Sequence, residues 1–129
     1  MSSTTETPSS YTGSCHCGQV KYSFTLPGPI EEQEVHECNC SICQIHGYLL
    51  IYPLLCDTKI EHDEDAVKEY KFASKKISHY FCTNCGTSIY GTSCLPGYSD
   101  KVAVNVRTVK GIEIESLNIK KVDGRSLFL

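Results

Sequence analysis

Seven of the nine cysteines in this 129-residue chain fall into three short clusters, and their spacing constrains the fold more than any other feature. The clusters are Cys15-His16-Cys17, Cys38-Asn39-Cys40-Ser41-Ile42-Cys43 and Cys82-Thr83-Asn84-Cys85. The first ten residues lack the basic and apolar stretches of a secretion signal. Without such a signal, clustered cysteines are more often metal ligands than disulfide partners. We therefore predict zinc sites.

The two outer pairs together supply four sulfurs, which is the number that closes a tetrahedral structural zinc site. Cys15 and Cys17 point to the same side of an extended backbone. Cys82 and Cys85, followed by Gly86, form a common half-site of structural zinc. We predict that one Zn²⁺ joins these pairs and closes a very long loop. Because the site forms only when the chain folds, the free energy of metal binding would stabilise the folded state.

The middle cluster can present three thiolates from one short segment. Cys38, Cys40 and Cys43 would hold a second Zn²⁺ and leave one coordination position open, as catalytic zinc sites do. A soft ligand, above all another thiolate, suits such a position. Glutathione or a related small thiol adduct is the expected partner in a reducing compartment.

The spacing leaves two other arrangements open. In one, the last pair closes a site with Cys38 and Cys40 and strands Cys43. In the other, both sites are closed and the second ion takes Cys56, Cys94 or a histidine.

Composition bounds the remaining expectations. The length predicts one domain over residues 12–129, after a disordered Ser/Thr-rich tail of residues 1–11. A net charge of −3 makes a nucleic-acid partner unexpected. No apolar run is long enough to span a membrane. The protein is expected in the cytoplasm, with a nuclear location also open at 14.3 kDa, and exposed β edges would allow a homodimer.

Apolar residues alternate with polar ones in several stretches, which predicts a β-rich fold. We expect a helical turn or two at Ile112–Leu117, and a polar tail from Lys120 whose apolar end, Leu127–Leu129, docks on the body. The predicted strands are Gly18–Leu26, Gly47–Leu55, Ile77–Phe81 and Lys101–Val106.

The chain resembles the family of glutathione-dependent formaldehyde-activating enzymes and centromere protein V from about Thr12 to Lys120. The resemblance is carried by the three cysteine motifs with their neighbours, Gly13–Val20, Cys38–Cys43 and Phe81–Thr87, and by the late strand Val104–Thr108.

The resemblance implies a mainly β, Mss4-like β-tent of small antiparallel sheets held by zinc. It implies structural zinc on the outer four cysteines and catalytic-type zinc on the inner three. The activity that it implies is condensation of formaldehyde with glutathione, a carbon–sulfur lyase reaction.

Two positions depart from the bacterial pattern. Gln44-Ile45-His46-Gly47 follows the triad where a basic residue is usual, and Asn39 looks more like the branch near centromere protein V.

Two residues are candidate helpers at the second zinc. For His46 the sequence leaves three roles open: a fourth zinc ligand, a proton shuttle or a surface residue. Arg107 holds a glutathione carboxylate or lies at a strand end. The alternative hypothesis is that the chain is a non-catalytic, zinc-stabilised module that binds protein or chromatin. A third hypothesis is that it acts as a zinc or redox buffer.

Overall fold

The computed structural model describes residues 7–71, 77–95 and 97–124, which form two β-sheets, one short α-helix and several 3₁₀ turns. The predicted mainly β class is confirmed. The helix is α1 (Ser41–His46), and the strands are β1 (Ser9–Ser14), β2 (Lys21–Leu26), β3 (Glu34–Cys38), β4 (Leu50–Ile51), β5 (Thr58–Glu61), β6 (Val67–Tyr70), β7 (Ile77–Cys82), β8 (Ser88–Ser93), β9 (Val102–Asn105) and β10 (Asn118–Val122).

The smaller sheet has the strand order β1-β2-β5, and both pairs are antiparallel. Every second side chain of β2 is buried, as its alternating sequence predicts. The strand starts at Lys21 rather than at Gly18, because the preceding backbone turns. The Cys15 N–H donates to the carbonyl of Val20 at 3.0 Å and closes that turn.

The disordered tail that we predicted over residues 1–11 extends too far, because residues 9–11 belong to a strand. Strand β1 begins at Ser9 and pairs with β2 along its whole length. The Tyr11 hydroxyl also accepts a hydrogen bond from the Ile30 N–H at 2.8 Å. Backbone pairing therefore orders residues 9–11 despite their polar composition.

The larger sheet has the order β10-β3-β4-β9-β8-β7-β6. Strand β10 pairs with β3 in parallel, whereas the other pairs are antiparallel. This parallel pair departs from the expected antiparallel sheets. The polar tail that we expected from Lys120 is also corrected. Strand β10 extends to Val122, and although its side chains are largely exposed, its backbone belongs to the sheet.

Strand β4 contains only Leu50 and Ile51, although the apolar run predicted a strand over Gly47–Leu55. Helix α1 ends just before this run, and Pro53 has no N–H to donate. Strands β7 and β9 confirm the two later predictions. A 3₁₀ turn at Ile114–Ser116 lies within the predicted helical segment.

Both sheets contribute to one apolar core. Phe24 from the smaller sheet and Ile89 and Val104 from the larger sheet are almost completely buried there. Within the described ranges, no helix has the length and apolar character needed to cross a bilayer. The expected docking of Leu127–Leu129 lies outside the described residues.

Gly13 lies where β1 approaches the turn after β9. A Cβ at this buried position would lie 2.6 Å from the Thr108 carbonyl oxygen and would also overlap the Tyr22 ring. We expect Gly13→Ala to lower the free energy of unfolding by about 1–3 kcal/mol, as overpacking does. Urea denaturation of the zinc-loaded protein measures this change.

Thr12→Ala is the matched control, because Thr12 is exposed on the same strand. It should change the free energy of unfolding by less than about 0.5 kcal/mol. Equal losses in the two variants would contradict the close approach at Gly13.

Candidate metal centres

The structure brings the outer cysteine pairs together as one group. The sulfurs of Cys15, Cys17, Cys82 and Cys85 all lie within 4.8 Å of one another. Cys17 Sγ is 3.6 Å from both Cys15 Sγ and Cys82 Sγ. This grouping agrees with the preferred partition and disfavours the alternative in which the last pair joins Cys38 and Cys40.

Two tight turns aim these sulfurs at one point. The turn after β1 and the turn between β7 and β8 use Gly18 and Gly86 at positive φ, +85° and +79°, which suits glycine. Backbone N–H groups then donate to the sulfurs: Val20 to Cys15 at 3.3 Å, and Cys85 to Cys82 at 3.4 Å.

The electrostatics of this four-cysteine group favour thiolate at two positions. A hydrogen bond from the Thr87 hydroxyl lowers the pKa of Cys85 to about 5. The Asn84 side chain lowers the pKa of Cys17 in the same way. Burial instead raises the pKa of Cys82 to about 11. Four sulfurs, joined by no carboxylate or histidine of the described residues, form a donor set that fits Zn²⁺.

The inner three cysteines form a second group, with all sulfurs within 4.8 Å of one another. Cys38 ends β3, Cys40 is the N-cap of α1, and Cys43 lies in its first turn. Among the described residues, no fourth cysteine, histidine or carboxylate joins this group. Burial raises the pKa of Cys38, and raises that of Cys43 far above its ordinary range. A cation would offset the cost of charging these buried sulfurs.

Helix α1 ends where the sequence provides a glycine. Gly47 adopts the left-handed conformation at φ +67°, and its N–H and that of Tyr48 both donate to the Cys43 carbonyl. Arg107 Nε donates to the Gly47 carbonyl at 2.9 Å. The guanidinium is thereby fixed beside the cysteine segment.

His46 lies near the three-cysteine group but does not belong to it. Its exposed ring bonds through Nδ1 to the Ser88 hydroxyl at 3.2 Å and stacks on Tyr48, with ring centroids 5.1 Å apart. Its ring nitrogens are not among the ligand atoms that lie together in this group, so the structure lends no support to a fourth-ligand role for His46. Cys56 and Cys94 are exposed and belong to neither group, so it lends no support to a second site closed by either one.

Two cavities meet at the three-cysteine group. The first, which we call the apolar chamber, has a volume of about 100 Å³. The second, which we call the polar chamber, has a volume of about 710 Å³. Cys38, Cys43 and Tyr48 line both. The three-cysteine group thus lies between two spaces of different character.

The two chambers are lined by different chemistry. The apolar chamber is walled by Tyr52 and Tyr98 and by aliphatic side chains such as Leu50. The polar chamber carries charges of both signs, on Glu37, Arg107, Lys121 and Asp123. Sequence reasoning singled out only Arg107 of these charges. The others occupy strands and turns whose spacing gives no signal of a shared site.

Serine variants separate the two cysteine groups. We expect Cys82→Ser to abolish cooperative folding, because the four-cysteine group connects distant turns and metal-binding energy there is folding energy. We expect Cys38→Ser to remain folded and to lower the zinc content from two ions per chain to one. Thermal denaturation by circular dichroism and zinc analysis of the purified proteins measure these outcomes.

Cys56→Ser is the control, since it removes an exposed thiol outside both groups. It should keep two zinc ions and the wild-type melting temperature. Unfolding of Cys38→Ser to the same extent as Cys82→Ser would contradict the division between the groups.

Comparison with known proteins gives three findings. The family model of the glutathione-dependent formaldehyde-activating enzymes matches residues 10–117. A Halomonas elongata protein named as a candidate glutathione-dependent formaldehyde-activating enzyme is 27% identical over 86 residues, which cover 60% of this chain and 53% of that protein. The chain thus spans about half the length of this relative.

The third finding concerns the fold. A crystal structure of a Rhodobacter sphaeroides protein superposes with a TM-score of 0.73 at 24% identity, covering 85% of this chain and 97% of that one. None of the three findings supports the branch near centromere protein V that Asn39 suggested. Because the family model covers most of the chain, the protein belongs to the glutathione-dependent formaldehyde-activating enzyme family.

Proposed function

We propose that this chain adds glutathione, or a closely related small thiol, to a small carbonyl compound and also cleaves the product. This is carbon–sulfur lyase chemistry. The observation that carries the proposal is the position of Cys38 and Cys43, which border both chambers. A thiol in one chamber and a carbonyl in the other would meet at the cysteine group.

Both cysteine groups are proposed as Zn²⁺ sites. The outer four cysteines would hold a structural ion, and Cys38, Cys40 and Cys43 would hold the second. When bound there, the second ion would supply a Lewis acid and a fixed position for a thiolate.

The polar chamber suits glutathione in size and in charge. Its volume of about 710 Å³ lies within the roughly 300–1,000 Å³ typical of ligand sites. Glutathione carries two carboxylates and one ammonium group. Arg107 and Lys121 can bind carboxylates, and Glu37 and Asp123 can bind the ammonium. The Arg107–Gly47 hydrogen bond holds the guanidinium in place for this role.

The reaction needs one proton to be moved. A sulfur–carbon bond forms, and the thiol proton ends on the carbonyl oxygen; the reverse reaction returns it to sulfur. We propose that His46 carries this proton through Nε2, because Nδ1 is bonded to Ser88 and the ring is open to solvent.

Exchange NMR of glutathione and formaldehyde tests the proposed function. The zinc-loaded protein should raise the rate at which S-(hydroxymethyl)glutathione exchanges with its components. Cys38→Ser should lower that effect by at least about tenfold, whereas Cys56→Ser should retain it. A folded, zinc-loaded protein that binds no glutathione and changes no exchange rate would overturn the proposal.

A variant of Arg107 tests the polar chamber separately. Arg107→Gln should weaken glutathione binding by about tenfold or more, because a charge-assisted hydrogen bond to carboxylate contributes about 1.5–3 kcal/mol. Isothermal titration calorimetry measures the dissociation constant. Lys110→Gln removes an exposed positive charge that lines neither chamber and serves as the control. Equal weakening in both variants would indicate general electrostatics instead.

A further inference from the structure

A reaction with formaldehyde as the only carbonyl substrate does not account for the apolar chamber. Formaldehyde carries only hydrogen on its carbonyl carbon, so its condensation with glutathione requires no apolar space beyond the reacting atoms. The structure nevertheless keeps a cavity of about 100 Å³ that borders Cys38 and Cys43 and contains none of the four charged residues of the polar chamber. Its walls are mainly aromatic and aliphatic.

Tyrosine rings form one part of the wall. Tyr52 and Tyr98 meet edge to face, with ring centroids 5.9 Å apart and an interplanar angle of 64°. This arrangement is favourable for an aromatic pair. Tyr48 adds a third ring next to Cys43 and packs parallel to His79 at 6.2 Å.

A pair of small residues opens the remaining space. Gly91 on β8 and Ala103 on β9 are paired in register on adjacent strands, and both line the chamber. A Cβ at Gly91 would lie 2.8 Å from the Ser78 carbonyl oxygen, so backbone packing accounts for this glycine. Ala103 has only a methyl side chain, and the paired glycine adds no side chain to this part of the wall.

Burial keeps His79 and Tyr90 uncharged at neutral pH. Burial lowers the pKa of His79 to about 4 and raises the pKa of Tyr90 to about 12. Lys101 also lines the chamber, but its ammonium donates to the Gly97 carbonyl at 3.0 Å and lies 3.4 Å from an Asp100 carboxylate oxygen. A lining that is mainly apolar, and whose one ammonium is bonded to its neighbours, favours an apolar ligand group.

We propose that the apolar chamber binds an alkyl substituent on the carbonyl carbon, so that the substrates include short-chain aldehydes larger than formaldehyde. This inference rests on the proposed function and extends it to the choice of carbonyl partner. The glutathione sulfur bonds to the aldehyde carbon, the thiol proton moves to the carbonyl oxygen, and the alkyl chain lies among the tyrosines. No oxidant or reductant is required.

A homologous series tests the chamber with the zinc-loaded protein. Ethanal, propanal, butanal and pentanal differ only in methylene groups. The value of kcat/KM for hemithioacetal formation, corrected for the spontaneous rate, should rise by about fourfold per methylene until the chamber is filled. Changes in the tyrosine ring resonances on adding pentanal give a second readout that does not depend on turnover.

Ala103→Leu should fill the chamber. It should lower the ratio of kcat/KM for pentanal to that for ethanal by about tenfold or more and remove the pentanal-induced tyrosine shifts. Ser23→Leu adds the same side chain in the smaller sheet, at a half-buried position that lines neither chamber. It should leave the ratio unchanged. Tyr98→Ala, which enlarges the chamber, should move the optimum to a longer aldehyde and keeps the test informative if Ala103→Leu fails to fold.

The outcomes separate this inference from the function on which it rests. A protein that acts on formaldehyde and binds glutathione, but shows no gain along the aldehyde series and no tyrosine shifts, would overturn the alkyl site alone. A protein that acts on no aldehyde and binds no glutathione would overturn the proposed function. Tyrosine shifts that persist in Ala103→Leu would place the alkyl group elsewhere and also contradict the inference.

Discussion

The meeting of four sulfurs between two distant turns is the constraint on which the remaining structure depends. Cys17 and Cys82 lie 65 residues apart in sequence, and closing a loop of that length costs about 4 kcal/mol before any contact compensates it. The two turns belong to different sheets, so their junction holds the sheets around one core. A zinc ion at this point would contribute more than the closure costs, since structural zinc contributes roughly 10–16 kcal/mol in small domains.

The three-cysteine group depends on a different, local constraint. An extended strand ends at Cys38, and a short helix begins directly after Cys40, so one segment changes backbone geometry between its sulfurs. The segment is held from both sides. Strand β10 pairs in parallel with β3, and Arg107 binds the Gly47 carbonyl at the end of the helix. Packing that is remote in sequence thus fixes three sulfurs that are close in sequence.

The parts of this arrangement that depend on residues close together in the chain could be predicted from the sequence. Cysteine spacing predicted the three local clusters, because two- and three-residue spacings determine which side chains share a face. Spacing left open which clusters join, and the joining of the outer pairs was inferred from the number of sulfurs that closes a structural zinc site. Alternation predicted β2, because one of its faces is buried. Strand β10 gave no such signal, since its side chains are largely exposed and its order comes from backbone pairing with β3. The chambers were also missed, because residues such as Tyr98 and Ala103 meet only through tertiary packing.

Chemistry and selectivity therefore reside in different parts of the molecule. In the proposed function the three cysteines would determine which reaction the site supports, but Cys38 and Cys43 border both chambers and cannot select the reactants by themselves. In the proposed function, charges such as that of Arg107 would give the polar chamber its preference for glutathione. The small side chain of Ala103, opposite a glycine that backbone packing requires, gives the apolar chamber its size. Each methylene of an alkyl group that such a wall buries strengthens binding by about fourfold. Two chains with identical cysteines can therefore favour different carbonyl partners, because fold and metal ligands alone do not determine the substrate.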